Sequence, residues 1–141
     1  MQYDRLRRRL MVLAQQDPEN YHTHADVRFF RQIRDSMDVA LADPQKRQYR
    51  LGNALGEGRG DWRRIKQGMP ERHRLFFRFT SQDHKVIFAW LSDERSLRRE
   101  GDHNDVYRVF QRMLTGGSVP GTLAALLSAA KEYKKSRNED C

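Results

Sequence analysis

The sequence contains little cysteine and no long apolar segment. Its one cysteine, Cys141, cannot form a disulfide within the chain, which is typical of proteins of the reducing cytosol. No apolar run approaches the roughly 18 residues that a membrane span needs. The charged N-terminal stretch also lacks the apolar segment of a secretory signal peptide. These absences predict a cytoplasmic protein with no membrane partner.

Acidic residues are scarce relative to basic ones. The 141 residues include 27 lysines and arginines against 19 aspartates and glutamates, which gives a net charge of +8, and 21 of the 27 are arginine. Arginine makes planar, bidentate contacts with phosphate, so its excess favours a nucleic-acid partner. A GC-rich genome would enrich arginine equally well. The length predicts a single domain, 1–141, with a core of its own.

Apolar residues at helical spacing predict two helices before a central sheet and two after it. The first two cover Tyr3–Gln15 and about Asp26–Ala42, and we expect them to form an antiparallel pair that packs on the sheet. The last two cover Asn104–Thr115 and Thr122–Lys135, followed by a charged end that we expect to fray. The predicted parts are a helical pair at 1–43, a connector at 44–60, a sheet at 61–92 and C-terminal helices at 104–135.

Three strand-like runs follow one another at Trp62–Gln67, Arg72–Thr80 and Lys85–Leu91. Turn chemistry separates them, at Gly68-Met69-Pro70 and at Ser81-Gln82-Asp83. Short consecutive runs of this kind predict an antiparallel meander, so the chain has an α+β fold. The third run is apolar on both faces, which predicts a central strand covered on both sides.

Alternation along the runs predicts one apolar and one basic face. Leu75, Phe77 and Phe79 share a face, whereas Arg74 and Arg78 lie opposite. Between positions 59 and 78 there are seven lysines and arginines against two acidic residues, a composition that suits a phosphate backbone. The predicted RNA contacts are Arg59, Trp62, Arg63, Arg72, Phe76 and Arg78.

Alternatives remain for several of these contacts. Arg78 is equally well explained by an ion pair with Asp61 or Glu71. The rings of Trp62 and Phe76 could stack on bases, or could be ordinary packing beneath helices.

Metal and cofactor sites are not predicted. His22 and His24 form an H-x-H pair, but no cysteine or carboxylate partner has convincing spacing. The glycines of the connector are not followed by the Gly-Lys-Ser/Thr of a phosphate-binding loop. His73 falls on the apolar face of its strand, which favours a structural histidine.

Several blocks together resemble the YhaV toxins of type II toxin–antitoxin systems, which are similar to the wider RelE superfamily of messenger-RNA-cleaving toxins. They run in the family's order over roughly Asp17–Pro120. The blocks include Asp17-Pro18-Glu19-Asn20-Tyr21, Asp61-Trp62 with Arg64 and Lys66, Arg74-Leu75-Phe76-Phe77-Arg78, Lys85-Val86-Ile87, Leu97-Arg98, Asp105, Tyr107 and Phe110.

The resemblance implies a metal-independent endoribonuclease that cuts messenger RNA, in many cases on the ribosome, and inhibits growth. Arg64, Arg74 and Arg98 match family positions and would stabilise the phosphorane charge. Lys66 is the candidate for proton transfer, because arginine stays charged and cannot act as a base. Tyr107 would donate a hydrogen bond or proton or stack on a base, although its helical spacing also suits the core. We expect Asp93 and Asp105 to position arginines.

The resemblance also implies partners. These are a PrlF-like antitoxin with an AbrB-type domain, messenger RNA with the ribosome, and operator DNA bound through the toxin–antitoxin complex. The alternatives are a non-catalytic nucleic-acid-binding module, a structural assembly protein and a truncated, inactive toxin. The last arises because the segment that supplies the first strand in the family is apparently missing, which would leave an open sheet edge for a partner to fill.

Overall fold

The computed structural model describes residues 2–82 and 84–129, which form four helices and a three-stranded antiparallel sheet. This confirms the predicted α+β class. The helices are α1 (Gln2–Gln16), α2 (Ala25–Ala42), α3 (Val106–Gly116) and α4 (Leu123–Ala129), and the strands are β1 (Trp62–Ile65), β2 (Leu75–Thr80) and β3 (Lys85–Leu91). The predicted turn residue Asp83 and the predicted helical residues 130–135 lie outside the described residues.

The helix ends follow from local chemistry. His24 caps α2, because its Nδ1 accepts a hydrogen bond from the backbone N–H of Asp26 at 3.2 Å. Asp105 caps α3 through the N–H of Tyr107. Gly117 ends α3 in the left-handed conformation, with φ 82°.

The helical pair packs on one face of the sheet, as predicted. Leu6 and Leu10 of α1 and Ile33 of α2 meet Leu75 and Phe77 of β2 in one cluster of buried residues, which we call the helix-pair core. Phe79 is partly buried against the same cluster. The predicted apolar face of the second strand is therefore confirmed.

The opposite face of the sheet is covered as well. Trp62, Phe76 and Ile87 pack with Val106 and Phe110 of α3 in a second cluster, the α3 core. Phe76 stacks on Phe110 with the ring centroids 4.2 Å apart. The predicted basic face is thus largely an interior surface, although its arginines Arg64, Arg74 and Arg78 are partly exposed.

The prediction that the third strand is central is wrong. The strand order is β1-β2-β3, so β2 is central and β3 is an edge. The pairing register shifts between Phe76, opposite Trp90, and Phe77, opposite Phe88, which leaves Ala89 as an extra residue in β3. Since both clusters reach β3, its apolar character reflects coverage of both faces, which an edge strand can also have.

The first two strands are shorter than predicted. β1 ends at Ile65, and β2 begins at Leu75 because Arg72 has φ 66°, a left-handed conformation that no strand residue adopts. No helix among the described residues is both long and apolar enough to cross a membrane. That a partner fills an open sheet edge stays a prediction.

Candidate active site

Three arginine side chains converge on Tyr107. The Nε of Arg74 donates a hydrogen bond to the Tyr107 hydroxyl at 3.3 Å. The guanidinium carbons of Arg64 and Arg98 lie 5.8 Å and 5.1 Å from the centre of the Tyr107 ring. We call these four residues the arginine cluster. They come from β1, the segment before β2, the loop after β3, and α3.

Arg64 is held by its backbone environment. Its Nη1 donates to the carbonyl oxygen of Arg50 at 2.6 Å, and Arg64 lies opposite Phe76 in the ladder between β1 and β2. Its Nε is buried and has no hydrogen-bond partner among the described residues. A buried N–H without an acceptor is costly, so this position of the Arg64 side chain is maintained at some expense to the folded state.

Arg74 is held by one hydrogen bond from its side chain and one from its backbone. Its Nη1 donates to the carbonyl oxygen of His73 at 2.9 Å, and its backbone N–H donates to the hydroxyl of Ser92 at 3.0 Å. His73 is buried, with Nδ1 3.1 Å from the carbonyl oxygen of Ser92 and its ring in edge contact with Phe29. Burial lowers the pKa of His73 below its usual value. These contacts support the structural interpretation of His73.

Asp105 links Arg98 to the start of α3. Its carboxylate accepts from Arg98 Nη1 at 2.8 Å, from the backbone N–H of Arg99 at 2.6 Å and from that of Tyr107 at 3.1 Å. The Asp105 side chain is 4% exposed, whereas that of Arg98 is 33% exposed. The hydrogen bond to Asp105 raises the pKa of Arg98. The predicted positioning role of Asp105 therefore has a direct geometric basis.

The remaining arginines of the cluster differ from Arg98 in their surroundings. Within the described part of the chain, neither Arg64 nor Arg74 forms a salt bridge. Tyr107 is half-buried, with its ring in edge contact with Phe76. Two guanidinium groups without a carboxylate partner in the described residues, beside a half-buried tyrosine, are an arrangement that suits a phosphate group.

Lys66 lies at the margin of this site. It is exposed, immediately after β1 and two residues beyond Arg64. It makes none of the contacts that hold the four clustered side chains together. The structure thus brings together four of the five predicted catalytic residues and leaves Lys66 outside their contacts.

The predicted RNA contacts are dispersed. Trp62 and Phe76 are 3% and 0% exposed, so neither ring offers a face to a base, and ordinary packing accounts for both. Arg78 lies 3.6 Å from the carboxylate of Asp61 and donates to the carbonyl oxygen of Gly121 at 3.1 Å. The alternative explanation of Arg78, an ion pair with Asp61, therefore has a direct geometric basis, and its contact with RNA stays a prediction.

The other three predicted RNA contacts, Arg59, Arg63 and Arg72, lie in different surroundings. Arg59 reaches α3, where it donates to the carbonyl oxygen of Gln111 at 3.5 Å and to the hydroxyl of Thr115 at 2.9 Å. Arg63 lies on the opposite side of β1 from Arg64, and burial lowers its pKa. Arg72 is exposed, and its carbonyl oxygen accepts from the N–H of Arg98 at 2.8 Å.

Sequence reasoning missed two contributors. Ser92 holds both His73 and Arg74, and Arg50 holds Arg64 through a carbonyl oxygen. Neither contact has a local sequence signal, because Ser92 is 18 residues from Arg74 along the chain and every residue type has a backbone carbonyl. No cluster of three or more histidine, cysteine, aspartate or glutamate residues with metal-binding geometry occurs in the ranges 2–82 and 84–129.

Comparison with known proteins gives matches over most of the chain. A family described as a toxin with endonuclease activity, of a toxin–antitoxin system, matches residues 1–131. The Toxin YhaV of Escherichia coli O6:H1 is 33% identical over 132 residues, which are 92% of this chain and 85% of that protein. The Ribonuclease toxin YhaV of Escherichia coli K12 is also 33% identical over 132 residues, with the same shares covered. No solved structure gives a significant match.

Proposed function

The chain belongs to the YhaV family of toxins, and on that premise we propose that it is an endoribonuclease that cleaves messenger RNA at the arginine cluster. The family is described as having endonuclease activity, and the relative from Escherichia coli K12 is named a ribonuclease toxin. The observation that carries the site assignment is the convergence of Arg64, Arg74 and Arg98 on Tyr107.

The proposed reaction uses the 2′-hydroxyl of the RNA as nucleophile. Its oxygen forms a bond to phosphorus while the bond from phosphorus to the 5′-oxygen breaks, which leaves a 2′,3′-cyclic phosphate and a 5′-hydroxyl end. The 2′-hydroxyl loses a proton and the departing 5′-oxygen gains one. A catalyst must therefore accept one proton, donate another and stabilise the charge of the phosphorane.

The clustered arginines suit the charge-stabilising role. Arg64 and Arg74 are both partly exposed, and each offers the guanidinium N–H groups that its backbone contacts leave over to the non-bridging oxygens of the phosphate. Such fixed donors typically contribute about 100-fold to 1,000-fold each in rate. Arg98 is paired with Asp105, so it contributes oriented N–H donors from the loop after β3 and no further net charge.

Tyr107 suits the role of proton donor. Its hydroxyl oxygen accepts a hydrogen bond from Arg74 Nε at 3.3 Å, so its own proton is free to point toward a bound phosphate. The adjacent positive charge stabilises the phenolate that forms after the transfer. Lys66, exposed immediately after β1, is the proposed acceptor of the 2′-hydroxyl proton, a step that requires its amine in the neutral form.

The biological setting that we propose follows the family. The substrate is messenger RNA, cut while it is engaged by the ribosome, and its cleavage stops growth. A PrlF-like antitoxin with an AbrB-type domain neutralises the toxin, and their complex binds operator DNA. The net charge of +8 supports an acidic segment in that antitoxin.

The test compares the purified chain with Arg64→Ala, and with Arg28→Ala as a control at an exposed arginine outside the cluster. We expect Arg64→Ala to lower the cleavage rate of RNA, presented free or on translating ribosomes, about 100-fold, while its affinity for RNA changes only a few-fold. The control variant should cleave normally. Chelator in the assay should leave cleavage unchanged, and the products should carry cyclic phosphate ends.

Two results would overturn the proposal. Full cleavage by Arg64→Ala would remove the arginine cluster from the reaction. Salt-sensitive RNA binding without any cleavage by the folded chain, alone or on ribosomes, would identify a binding module instead. Mapping of messenger-RNA 5′ ends after induced expression tests the substrate, and translating ribosomes added to the purified assay test ribosome dependence.

A further inference from the structure

A groove of about 380 Å³ lies between α1 and α2, and the function proposed above does not use it. Its size falls in the range of sites that accommodate a few side chains of a ligand or peptide. The helical pair packs on the face of the sheet opposite to the α3 core, whereas Tyr107 of the arginine cluster packs against the α3 core. The groove and the arginine cluster are therefore on different sides of the protein.

The floor of the groove is mainly aliphatic and aromatic. It is formed by Leu10, Met11, Ala14, Tyr21, Val27 and Phe30. Met11 is 50% exposed and is one of three large hydrophobic residues exposed in the described ranges, with Val12 and Val39. A methionine side chain adapts its shape readily to a partner surface.

The rim of the groove is basic. The arginines at the rim are Arg7 and Arg31, with a single acidic residue, Asp35, whereas Arg34 also lines the groove but is buried, at 6% exposure. A second copy of this chain, with its own net charge of +8, would bring like charges together there. RNA prefers flat, exposed rings on which its bases stack, whereas the most exposed apolar side chain here is Met11. An apolar floor with an arginine rim is instead complementary to a peptide that carries apolar anchors among acidic residues.

We propose that this groove is the docking site for an acidic, amphipathic segment of the cognate antitoxin. Membership of a toxin–antitoxin family implies such a partner protein. The segment places apolar side chains on the floor and its carboxylates against the arginine rim, which is the usual way that an amphipathic helix enters a groove. The inference rests on the toxin role in the proposed function and does not depend on where RNA is cut.

The chain offers closely matched variants for a test. Met11 lines the groove, whereas Val12 is its neighbour on α1, is 51% exposed and lies outside the lining. Met11→Glu places a negative charge among the acidic residues of the bound segment. Titration calorimetry with the full-length cognate antitoxin should show affinity lowered about 30-fold for Met11→Glu, the effect of losing a central anchor, and less than about threefold for Val12→Glu.

A second pair tests the charge complementarity separately. Arg31 lines the groove and Arg28 does not, although both are exposed on α2. Arg31→Glu should weaken antitoxin binding about tenfold in low salt and Arg28→Glu should have little effect, because only the former contacts the acidic segment. This pair also decides the question if Met11→Glu fails to fold, as judged by thermal melting.

Cleavage of RNA is measured on the same variants without antitoxin. Met11→Glu and Arg31→Glu should cleave normally, so a failure of the arginine-cluster assignment is separable from a failure of the groove. Equal effects within either matched pair, or unchanged antitoxin affinity in Met11→Glu and Arg31→Glu, would overturn the proposal. Unchanged antitoxin affinity together with altered self-association in sedimentation would identify a second copy of the chain as the occupant of the groove. Unchanged antitoxin affinity together with altered binding of single-stranded RNA would identify RNA as the occupant. Either result would also overturn the proposal.

Discussion

Removal of the Asp105 carboxylate tests the architecture of the site most directly. This one buried group accepts hydrogen bonds from Arg98, from the backbone N–H of Arg99 and from that of Tyr107. Asp105→Ala therefore removes the cap of α3 and releases a catalytic candidate in the same step. Loss of a helix cap costs about 1 kcal/mol, and loss of a hydrogen bond to a charged group about 1.5–3 kcal/mol.

The second contribution is reduced because Arg98 is 33% exposed and regains water when its partner is removed. We therefore expect Asp105→Ala to lower the free energy of unfolding by about 2–3 kcal/mol. Asp105→Asn should cost about half of that, because asparagine caps a helix as well as aspartate does but lacks the charge. Urea unfolding followed by circular dichroism measures both values, with unchanged slopes confirming two-state behaviour.

A measurement of RNA cleavage separates a positioning role of Asp105 in the site from its effect on stability. At a temperature where both variants are folded, Asp105→Ala should cleave RNA more slowly than Asp105→Asn. The amide still orients the start of α3 and Tyr107. Asp102→Ala is the control, since Asp102 is exposed and accepts only a local bond from Asn104. A loss of less than about 1 kcal/mol in Asp105→Ala, or equal losses in Asp105→Ala and Asp102→Ala, would refute the reasoning.

Three further predictions concern the fold around the site. Phe76→Ala should lower the free energy of unfolding by about 3–5 kcal/mol in urea unfolding, because the ring is fully buried against both Trp90 and Phe110. A loss below about 1 kcal/mol would contradict this burial. Arg72→Gly should raise the melting temperature slightly, since relief of left-handed strain contributes about 1 kcal/mol, and a decrease would contradict this. Burial lowers the pKa of His73, so the unfolded state binds more protons than the folded state, and the free energy of unfolding falls as pH drops below about 6.5. In His73→Gln this pH dependence, up to about 1.4 kcal/mol per pH unit, should be absent when the free energy of unfolding is measured in urea at several pH values. A variant with the same pH profile as the parent protein would refute this.

The local sequence pattern was sufficient to predict most of the helices and strands. The predicted helices at Tyr3–Gln15 and Asp26–Ala42 agree within one residue with α1 and α2, and the third predicted strand has the bounds of β3. The apolar residues of these segments recur at regular spacing, because one face of each element is buried, and this spacing can be read directly from the sequence. The alternation of β2 likewise indicated correctly which of its residues face the helical pair.

Local pattern failed where backbone geometry or long-range pairing decides. The left-handed Arg72 shortens β2, although nothing in an arginine predicts a positive φ. The extra residue Ala89 and the edge position of β3 depend on the register with β2. Coverage of Phe76 by Phe110 depends on where α3 returns to the sheet.

By itself the sequence determined the α+β class, the basic character, the elements with strong periodicity and the family. It also supplied the identities of Arg64, Arg74, Arg98 and Tyr107 through family resemblance. Only the tertiary structure decided that these four side chains meet, that Trp62 and Phe76 belong to the core, and that an arginine-rimmed groove separates α1 from α2. The physical reason is that periodicity records which residues are buried, whereas contacts between distant segments depend on packing and register, which no local window contains.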